Sequence, residues 1–424
     1  MPFINVRTER GRDMGSLLIE RIVQTNLCSG CGACYAICPH DAIDMKISLD
    51  GAYRPFIDFS KCSFCKLCER VCPSLSSNQK IMMNGLGSFV RCYVGYSADA
   101  IIRWKASSGG LATTILLSLL EEGVISSAVV VKDDPDNPLR PFMTLVKDKE
   151  EIKGAMGSKY CPVEPRFKVK DLIRERGKIA VVGLPCHIWA FRKLERVVGK
   201  LKNKVLVHLG LFCGKTPNFY AITYFLRKVA NVNERDVTHI SYRGRGWPGK
   251  MTVSTKQGNS LSFELGDWYN FSYYPHFIPV RCVLCHDITN QQADISLGDA
   301  WGLADDKIGA SVVITRTPIG ERVIQHLCNT RRLVLREVKP RQISQGQGLE
   351  GKLRNSLLRA YIWQSVFHQL SPFTFPPRAS VRNWVFNLGY CTWLYIARNQ
   401  LMRAVLCNLT PLMWKILKLV GWKT

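Results

Sequence analysis

The spacing of hydrophobic and polar residues predicts alternating helices and strands through the middle of the chain. GGLATTILLSLLEEG has apolar residues at helical spacing, and VISSAVVV is a short apolar run typical of a buried strand. KIAVVG (178–183) and KVLVHLGLFC (204–213) predict two further strands, each followed by an amphipathic helical segment. This alternation predicts an α/β or α+β body. Shorter strands are predicted in ISYRG, MTVST, SLSFEL, ADISLGD and ASVVITRT.

The cysteine content adds redox chemistry to this picture. The chain has 17 cysteines among 424 residues, and its first residues, MPFINVRTERGRDMG, contain no apolar run of the kind a secretory signal needs. We therefore expect a cytoplasmic protein, in which thiols stay reduced and serve metal binding or redox work. No run of about 18 apolar residues predicts a membrane-spanning helix.

Two cysteine runs near the N-terminus share one spacing. CSGCGACYAICP and CSFCKLCERVCP both read C-x2-C-x2-C-x3-C-P, the pattern of bacterial ferredoxins with two [4Fe–4S] clusters, in which the fourth cysteine of each run binds the other cluster. A pair of zinc sites is the alternative, but zinc sites use two CxxC knuckles per ion. Residues around Asp50-Gly51 predict a β-hairpin between the runs. The predicted ligand sets are Cys28, Cys31, Cys34 and Cys72, and Cys62, Cys65, Cys68 and Cys38.

Four further cysteines predict a third cluster. Cys186 follows the strand KIAVVG, Cys213 ends the next strand, and Cys282 and Cys285 form a lone CxxC pair. If the two strands are parallel, their carboxyl ends open onto one crevice, where open α/β sheets bind ligands. In the alternative interpretation, Cys186 and Cys213 are buried thiols and the CxxC is a redox pair. Spacing leaves both open. Ordinary packing is expected for Cys92, Cys161, Cys328, Cys391 and Cys407.

Behind the two-cluster unit, short motifs occur in a specific order: SSGGLAT, GSKYCP, GLPCH, GLFCGK, RCVLC and GDAWG. Over about residues 20–345 the chain thereby resembles the beta subunit family of coenzyme F420 hydrogenases and dehydrogenases. The resemblance implies an iron–sulfur flavoprotein that holds FAD beside a cluster and exchanges electrons with a deazaflavin or another organic acceptor. It assigns the third cluster to the four cysteines above, and Lys159 and Asp299 become catalytic candidates. The flavin-lining residues it implies are Ser107, Ser108, Gly109, Gly110, Gly157, Ser158, Lys159 and Tyr160.

The chemistry of these residues agrees in part with that assignment. A Ser-Ser-Gly-Gly turn that opens a helix offers main-chain N–H groups and a favourable dipole to a phosphate. The alternative is a plain N-cap, for which Ser is well suited. Lys159 could pair with a phosphate or lie against the flavin ring, where positive charge favours the reduced anion. GRGWPG (244–249) matches GxGxxG, but a strand follows it, so we interpret it as a turn with Arg243 and Arg245 as candidate anion contacts.

The positive charge of the chain is concentrated at its C-terminal end. The formal net charge is +25, and residues 351–424 contain ten Lys or Arg and no Asp or Glu. Two Pro-containing breaks set off the aromatic segments WVFNLGYCTWLYIA and PLMWKILKLVGW. Their composition suits a membrane interface, and packing on the body or on a partner subunit is an equal alternative. Nucleic acid is not expected, because no recognisable binding module accompanies the basic residues.

The sequence thus predicts an α+β or α/β protein with an N-terminal bacterial-type two-[4Fe–4S] ferredoxin domain as a separate insert or head. The leading hypothesis is an oxidoreductase that relays electrons from a donor protein to FAD and a small organic acceptor. One alternative is a non-catalytic electron-transfer subunit; another is a reductase at the inner face of the membrane that acts on a lipid-linked or polysaccharide precursor. The predicted domains are 18–80 (ferredoxin), 88–170 and 171–345 (flavin and cluster body) and 346–424 (basic helical tail).

Overall fold

The structure is a computed structural model, and it describes residues 17–75, 85–304, 306–369 and 379–419. These residues form a nine-stranded, a three-stranded and a two-stranded sheet with helices packed around them. The strands are β1 (Ile43–Ile47), β2 (Tyr53–Ile57), β3 (Arg91–Ser97), β4 (Ser127–Lys132), β5 (Phe142–Val146), β6 (Glu164–Pro165), β7 (Ile179–Gly183), β8 (Val205–Leu211), β9 (Val237–Ser241), β10 (Lys250–Thr255), β11 (Ser260–Glu264), β12 (Ile295–Asp299), β13 (Ser311–Thr315) and β14 (Leu333–Glu337). The helices are α1 (Leu18–Gln24), α2 (Ala33–Ile37), α3 (Leu67–Arg70), α4 (Ala100–Lys105), α5 (Leu111–Glu121), α6 (Lys149–Gly154), α7 (Val169–Arg174), α8 (Pro185–Val197), α9 (Gly199–Lys202), α10 (Phe219–Lys228), α11 (Leu265–Ser272), α12 (Val280–Val283), α13 (Pro318–Asn329), α14 (Pro340–Gln347), α15 (Leu349–Ser365), α16 (Val381–Ile396) and α17 (Gln400–Leu419).

The large sheet is mixed, with strand order β14-β3-β13-β12-β8-β7-β4-β5-β6. Its centre is parallel, because β12, β8, β7 and β4 run in one direction. The strands β13, β3 and β14 pair antiparallel with their neighbours, and β5 pairs antiparallel with β4 and parallel with β6. The predicted strands and the helices after β7 and β8 are confirmed. The segments 88–170 and 171–345 both contribute strands to this sheet, so they form one body.

Alternating side chains of the central strands pack against helices on both faces of the sheet. In β4, Ala128 and Val130 belong to the core that contains Leu111 and Ile115 of α5. The residue between them, Val129, belongs to a second core with the apolar side chains of α8. Because neighbouring strand residues point to opposite faces, a continuous apolar run is required in a strand covered on both sides.

The N-terminal cysteine-rich unit, predicted as a separate insert or head, is docked on the body. Its hairpin, β1–β2, pairs antiparallel as predicted. Gly32 has φ +77°, and a Cβ there would lie 2.3 Å from Cβ of Pro165 in the body. Lys193 of α8 donates a hydrogen bond of 2.6 Å to the carbonyl of Cys72. The unit and the body therefore share one packed interface.

The C-terminal helices pack on the same assembly. Trp363 of α15 and Cys391 of α16 are fully buried in a core that also contains Cys28, Cys34 and Val283 of α12. For these helices the structure supports packing on the body, and membrane contact stays a prediction. In the described part of the chain, no helix has the length and apolar character needed to span a bilayer.

One of the two predicted breaks in the tail is wrong. The helix α17 continues through Pro411, although proline in a helix interior removes one main-chain donor and crowds the preceding turn. The other predicted break, within residues 371–380, lies largely outside the described residues.

Candidate cofactor site

The two N-terminal cysteine runs exchange their fourth residues in space, as the spacing predicts. Burial raises the pKa of Cys72 to about 12, and the neighbouring thiols of Cys31 and Cys28 contribute to the increase. Cys72 thus lies with the first run. The complementary set lines a small cavity of about 20 Å³, to which Cys38, Cys62, Cys65 and Cys68 all contribute.

These groups fit iron–sulfur clusters chemically. Burial raises the pKa of Cys34 well above its usual range, and nearby Cys28 and Cys31 add to the effect. Such thiols keep their protons unless a bound cation replaces them, which the iron of a cluster does. Main-chain N–H groups also point at the sulfurs: Gly30 N lies 3.4 Å from Cys28 Sγ and Ala42 N lies 3.3 Å from Cys38 Sγ. Hydrogen bonds of this kind tune cluster potentials.

The four cysteines predicted for a third cluster converge. Strands β7 and β8 are parallel, with Gly183 opposite Gly210, so Cys186 and Cys213 follow neighbouring strand ends. Burial raises the pKa of Cys213, and the Cys282 and Cys285 thiols contribute to the increase. These interactions place the four thiols near one another, while the ligand set and the cluster itself stay predictions.

A link between the first and third cysteine groups was not visible in the sequence. Burial raises the pKa of Cys186 well above its usual range, and the largest contribution from a neighbouring group comes from Cys31. Arg54 is buried, and the nearby Cys28, Asp50 and Cys282 each favour its charged form. The first and third groups are therefore adjacent, with a cation next to them.

The Ser-Ser-Gly-Gly turn lies at the start of α5 and contacts the other predicted flavin segment. The main-chain N–H of Ser158 donates a 2.8 Å hydrogen bond to Ser107 Oγ. Gly109 N donates to Ser311 Oγ at 2.9 Å, which fastens the turn to β13. The N-cap of α5 is Gly110, with φ +77° and no side-chain cap, so the alternative of a serine N-cap is wrong. The N–H groups of the first turn of α5 are left for another acceptor.

Lys159 lies in the loop after α6, and its ammonium group is bound by neighbouring protein groups. Its ammonium donates to the carbonyls of Ala155, Met156 and Gly157, at 3.4, 3.1 and 3.3 Å, and lies 3.5 Å from Asp133. Burial lowers the pKa of Lys159, although Asp133 opposes the shift. The side chain lines the cavity wall with most of its donors in use.

Asp299 lies at the carboxyl end of β12 and is paired with Arg243. The Arg243 guanidinium donates to both carboxylate oxygens at 2.8 and 3.1 Å, and Trp247 Nε1 donates at 3.2 Å. Arg243 also donates to Tyr160 Oη at 3.2 Å. The turn interpretation of GRGWPG is confirmed, since residues 244–249 form neither helix nor strand. The positive charge of Arg243 is neutralised by its ion pair with Asp299. Catalytic roles for Lys159 and Asp299 stay predictions.

A cavity of about 2200 Å³ brings the predicted segments together. It is lined by the turn before α5, by the 157–160 segment, by Asp299, and by Cys213. Sequence analysis missed the rest of the wall, although an aromatic run in YNFSYYP could have indicated part of it. The missed wall residues include His187, Phe212, Tyr269, Tyr273, Trp301, Arg359, Asn383 and Tyr390.

Comparisons with known proteins agree with the order of these motifs. Residues 27–75 match the 4Fe-4S dicluster domain. Residues 92–169 match the N-terminal model of the coenzyme F420 hydrogenase/dehydrogenase beta subunit, and residues 176–341 match the C-terminal model of that same subunit.

Named relatives cover much of the chain. The beta subunit of the coenzyme F420 hydrogenase of Methanosarcina barkeri is 29% identical over 56% of this chain and 78% of its own. A subunit of the F(420)H(2) dehydrogenase of Methanosarcina mazei is 26% identical over 79% of this chain and 90% of its own. The coenzyme F420-dependent sulfite reductase of Methanocaldococcus jannaschii is 28% identical over 72% of this chain and 46% of its own.

The fold also matches a solved structure. A chain of the F420-reducing [NiFe] hydrogenase complex from Methanosarcina barkeri superposes with a TM-score of 0.51 at 24% identity, covering 66% of this chain and 94% of that one. This likeness supports the fold class.

Proposed function

The chain belongs to the coenzyme F420 hydrogenase/dehydrogenase beta subunit family, and from this premise we propose that it is an iron–sulfur flavoprotein oxidoreductase. In this proposal it accepts electrons from a donor protein and delivers them through [4Fe–4S] clusters and FAD to a small organic acceptor. Deazaflavin coenzyme F420, which appears in the names of the relatives, is the first acceptor to test.

The observation that carries the proposal is the shared cavity. The two predicted flavin segments are joined by the hydrogen bond from Ser158 to Ser107, and Cys213 of the third cysteine group lines the same space. Protein pockets for small molecules usually enclose about 300–1000 Å³, so a cavity of about 2200 Å³ has room for a dinucleotide and a second ligand.

FAD would supply the conversion between one-electron carriers and two-electron chemistry. The eleven-residue helix α5 would bind its phosphates, because its first turn has no side-chain cap and lines the cavity. Ser107 would hold the 157–160 segment in place against that helix end.

Tyr160 is the residue that we assign to proton handling. Its phenol oxygen accepts hydrogen bonds from Arg243 Nη1 at 3.2 Å and from Tyr269 Oη at 3.0 Å. In the described part of the structure its own O–H has no acceptor, and the side chain lines the cavity. Tyr160 can therefore donate to a bound ligand. Asp299 would act as a positioning residue, because it orients Arg243 and through it Tyr160.

We assign the third [4Fe–4S] cluster to Cys186, Cys213, Cys282 and Cys285, which supply four thiolates from three segments of the body. Their closeness to Cys31 supports a path from the N-terminal unit to the cavity, since one-electron transfer needs adjacent carriers.

A second candidate function is supported by the names of the relatives. Two of them are named as subunits, and the matching solved chain belongs to a hydrogenase complex. This chain would then be an electron-transfer subunit that docks on a partner enzyme and carries no flavin. Both candidates include a protein partner, so flavin content separates them.

The test is the content of iron, acid-labile sulfide and flavin in protein purified without oxygen. About 12 irons and one FAD per chain are expected for the flavoprotein. About 8 irons without flavin would overturn it and favour the electron-transfer subunit.

A further inference from the structure

The C-terminal helices form one wall of the large cavity, although they lie outside the segments that match the family models. Those matches end at residue 341, whereas α15 contributes Lys352, Asn355 and Arg359 to the cavity and α16 contributes Asn383 and Tyr390. This wall combines cations, amides and aromatic rings, which is the chemistry of a ligand-binding surface.

Arg359 is the central cation of this wall. The residue is only 6% exposed, its guanidinium carbon lies 4.0 Å from the centroid of the Tyr390 ring, and its Nε donates to Asn387 Oδ1 at 2.7 Å. Within the described residues, its two terminal nitrogens have no acceptor and it has no carboxylate partner. A guanidinium held in this way presents a pair of donors that match a carboxylate or a phosphate.

A second cation lies at the same ring. Lys215 Nζ is 4.8 Å from the Tyr390 centroid and donates to Tyr390 Oη at 3.2 Å. Lys215 and Arg359 repel each other across this ring, and in the described structure neither has an acidic side chain as a partner. A buried guanidinium is stabilised by an anionic partner, so an anionic ligand would be favoured at this end of the cavity.

The positive charge continues along the C-terminal wall. Arg359 has no carboxylate neighbour in the described structure, and exposed Lys352 and Arg382 at the cavity wall add further positive charge.

We infer that α15 and α16 form a subsite for the anionic group of the acceptor substrate, with Arg359 as its principal binding residue. This inference rests on the proposed function, in which FAD occupies the end of the cavity near α5 and the acceptor occupies the remainder. The ligand class is an aromatic or heteroaromatic acceptor that carries a phosphate or a carboxylate. The rings of Tyr390 and Phe386 line the cavity and can stack on its planar part.

The test is equilibrium binding to the FAD-loaded holoprotein. The probes are riboflavin and riboflavin 5′-phosphate, which share one ring system and differ by the anionic group. Arg359→Gln should weaken binding of the phosphate form by about tenfold or more, and should leave riboflavin binding unchanged. Arg359→Lys should keep part of the affinity, because the charge remains and the paired donors are lost.

Two further variants separate binding from folding. Arg354→Gln is the matched control, since Arg354 lies on the same helix, pairs with Glu350 at 3.7 Å and is not part of the cavity wall. Lys352→Gln removes an exposed cavity cation, so it should fold normally and weaken the phosphate form by a few-fold. Equal loss of both probes in Arg359→Gln, or no loss of either in Arg359→Gln and Lys352→Gln, would overturn the inference.

Inorganic phosphate and citrate identify the source of the anion. Displacement of riboflavin 5′-phosphate by inorganic phosphate supports a phosphorylated acceptor, and displacement by citrate supports a carboxylated one. If neither anion displaces the probe, the subsite is contradicted. Titration calorimetry with phosphate needs no flavin and no turnover. A chain without FAD that still binds phosphate through Arg359 would therefore contradict the proposed function and retain the anion subsite.

Discussion

Arg243 donates two hydrogen bonds to the carboxylate of Asp299, from Nη1 at 2.8 Å and from Nη2 at 3.1 Å. The arginine is 2% exposed, so it depends on this carboxylate for charge balance. The pair joins the loop before β10 to the end of β12 and sets the position of the Tyr160 phenol. It connects the two sides of the cavity wall.

Replacing Asp299 by Asn should therefore reduce stability as well as activity. The change leaves a buried guanidinium without its counter-charge, which typically costs about 3–5 kcal/mol. The measurement is the free energy of unfolding in urea together with flavin content. Asp267→Asn, at an exposed carboxylate on α11, is the control. Unchanged stability with a specific loss of turnover would instead make Asp299 a direct participant in the chemistry.

Cys282→Ser should remove one cluster and retain two. Serine is a poor ligand for cluster iron, so iron should fall by about four per chain and one electron paramagnetic resonance signal should disappear. Cys328→Ser is the matched control, because Cys328 lies on α13 away from the cysteine groups. An unaltered spectrum in Cys282→Ser would reject the third cluster.

Ser107→Ala should weaken flavin binding. The change removes the acceptor for Ser158 N–H and frees the 157–160 segment, at a cost of about 1 kcal/mol, or roughly fivefold in FAD affinity. FAD release during gel filtration or titration of the flavin-free protein would measure it. The control is Ser118→Ala, at a serine buried within α5 and away from the cavity. If both variants bind FAD like the unaltered protein, the turn does not hold the flavin.

His276 should make folding stability depend on pH. It is 2% exposed, packs against the rings of Tyr274 and Trp393 at centroid distances of 5.8 and 5.6 Å, and lies 3.1 Å from Thr410 Oγ1 of α17. Burial lowers the pKa of His276 to about 3, and Arg403 contributes. The unfolded chain binds this proton near pH 6.5, so stability is present above that pH and declines as the pH falls toward 3.

Between pH 7.5 and 5.5 the contribution of His276 amounts to about 1.4 kcal/mol. Urea unfolding of the protein with its iron–sulfur clusters bound should show this fall in the free energy of unfolding between pH 7.5 and 5.5. In His276→Gln the fall should be smaller by about 1.4 kcal/mol. His239→Gln, at an exposed histidine, provides the comparison. An identical pH dependence in His276→Gln and the unaltered protein would contradict the assignment.

Much of the fold follows from local sequence patterns. The strands around Cys186 and Cys213 were predictable, because apolar runs of four to eight residues bounded by turns identify buried strands. The exchange of Cys38 and Cys72 was predictable as well, since the run spacing fixes the loop that surrounds each cluster. The course of α17 through Pro411 was not, because proline usually kinks or ends a helix and its sequence position therefore predicts a break.

The sequence by itself determined the two N-terminal cysteine runs, the strands that precede Cys186 and Cys213 and the turn that opens α5, because each depends on residues close together in the chain. Only the tertiary structure decided that Cys31 lies beside Cys186, that Arg243 pairs with Asp299, and that Arg359 completes the cavity. These relationships join segments dozens to hundreds of residues apart. Their geometry is set by how helices and sheet pack as a whole, and spacing along the chain carries no information about that packing.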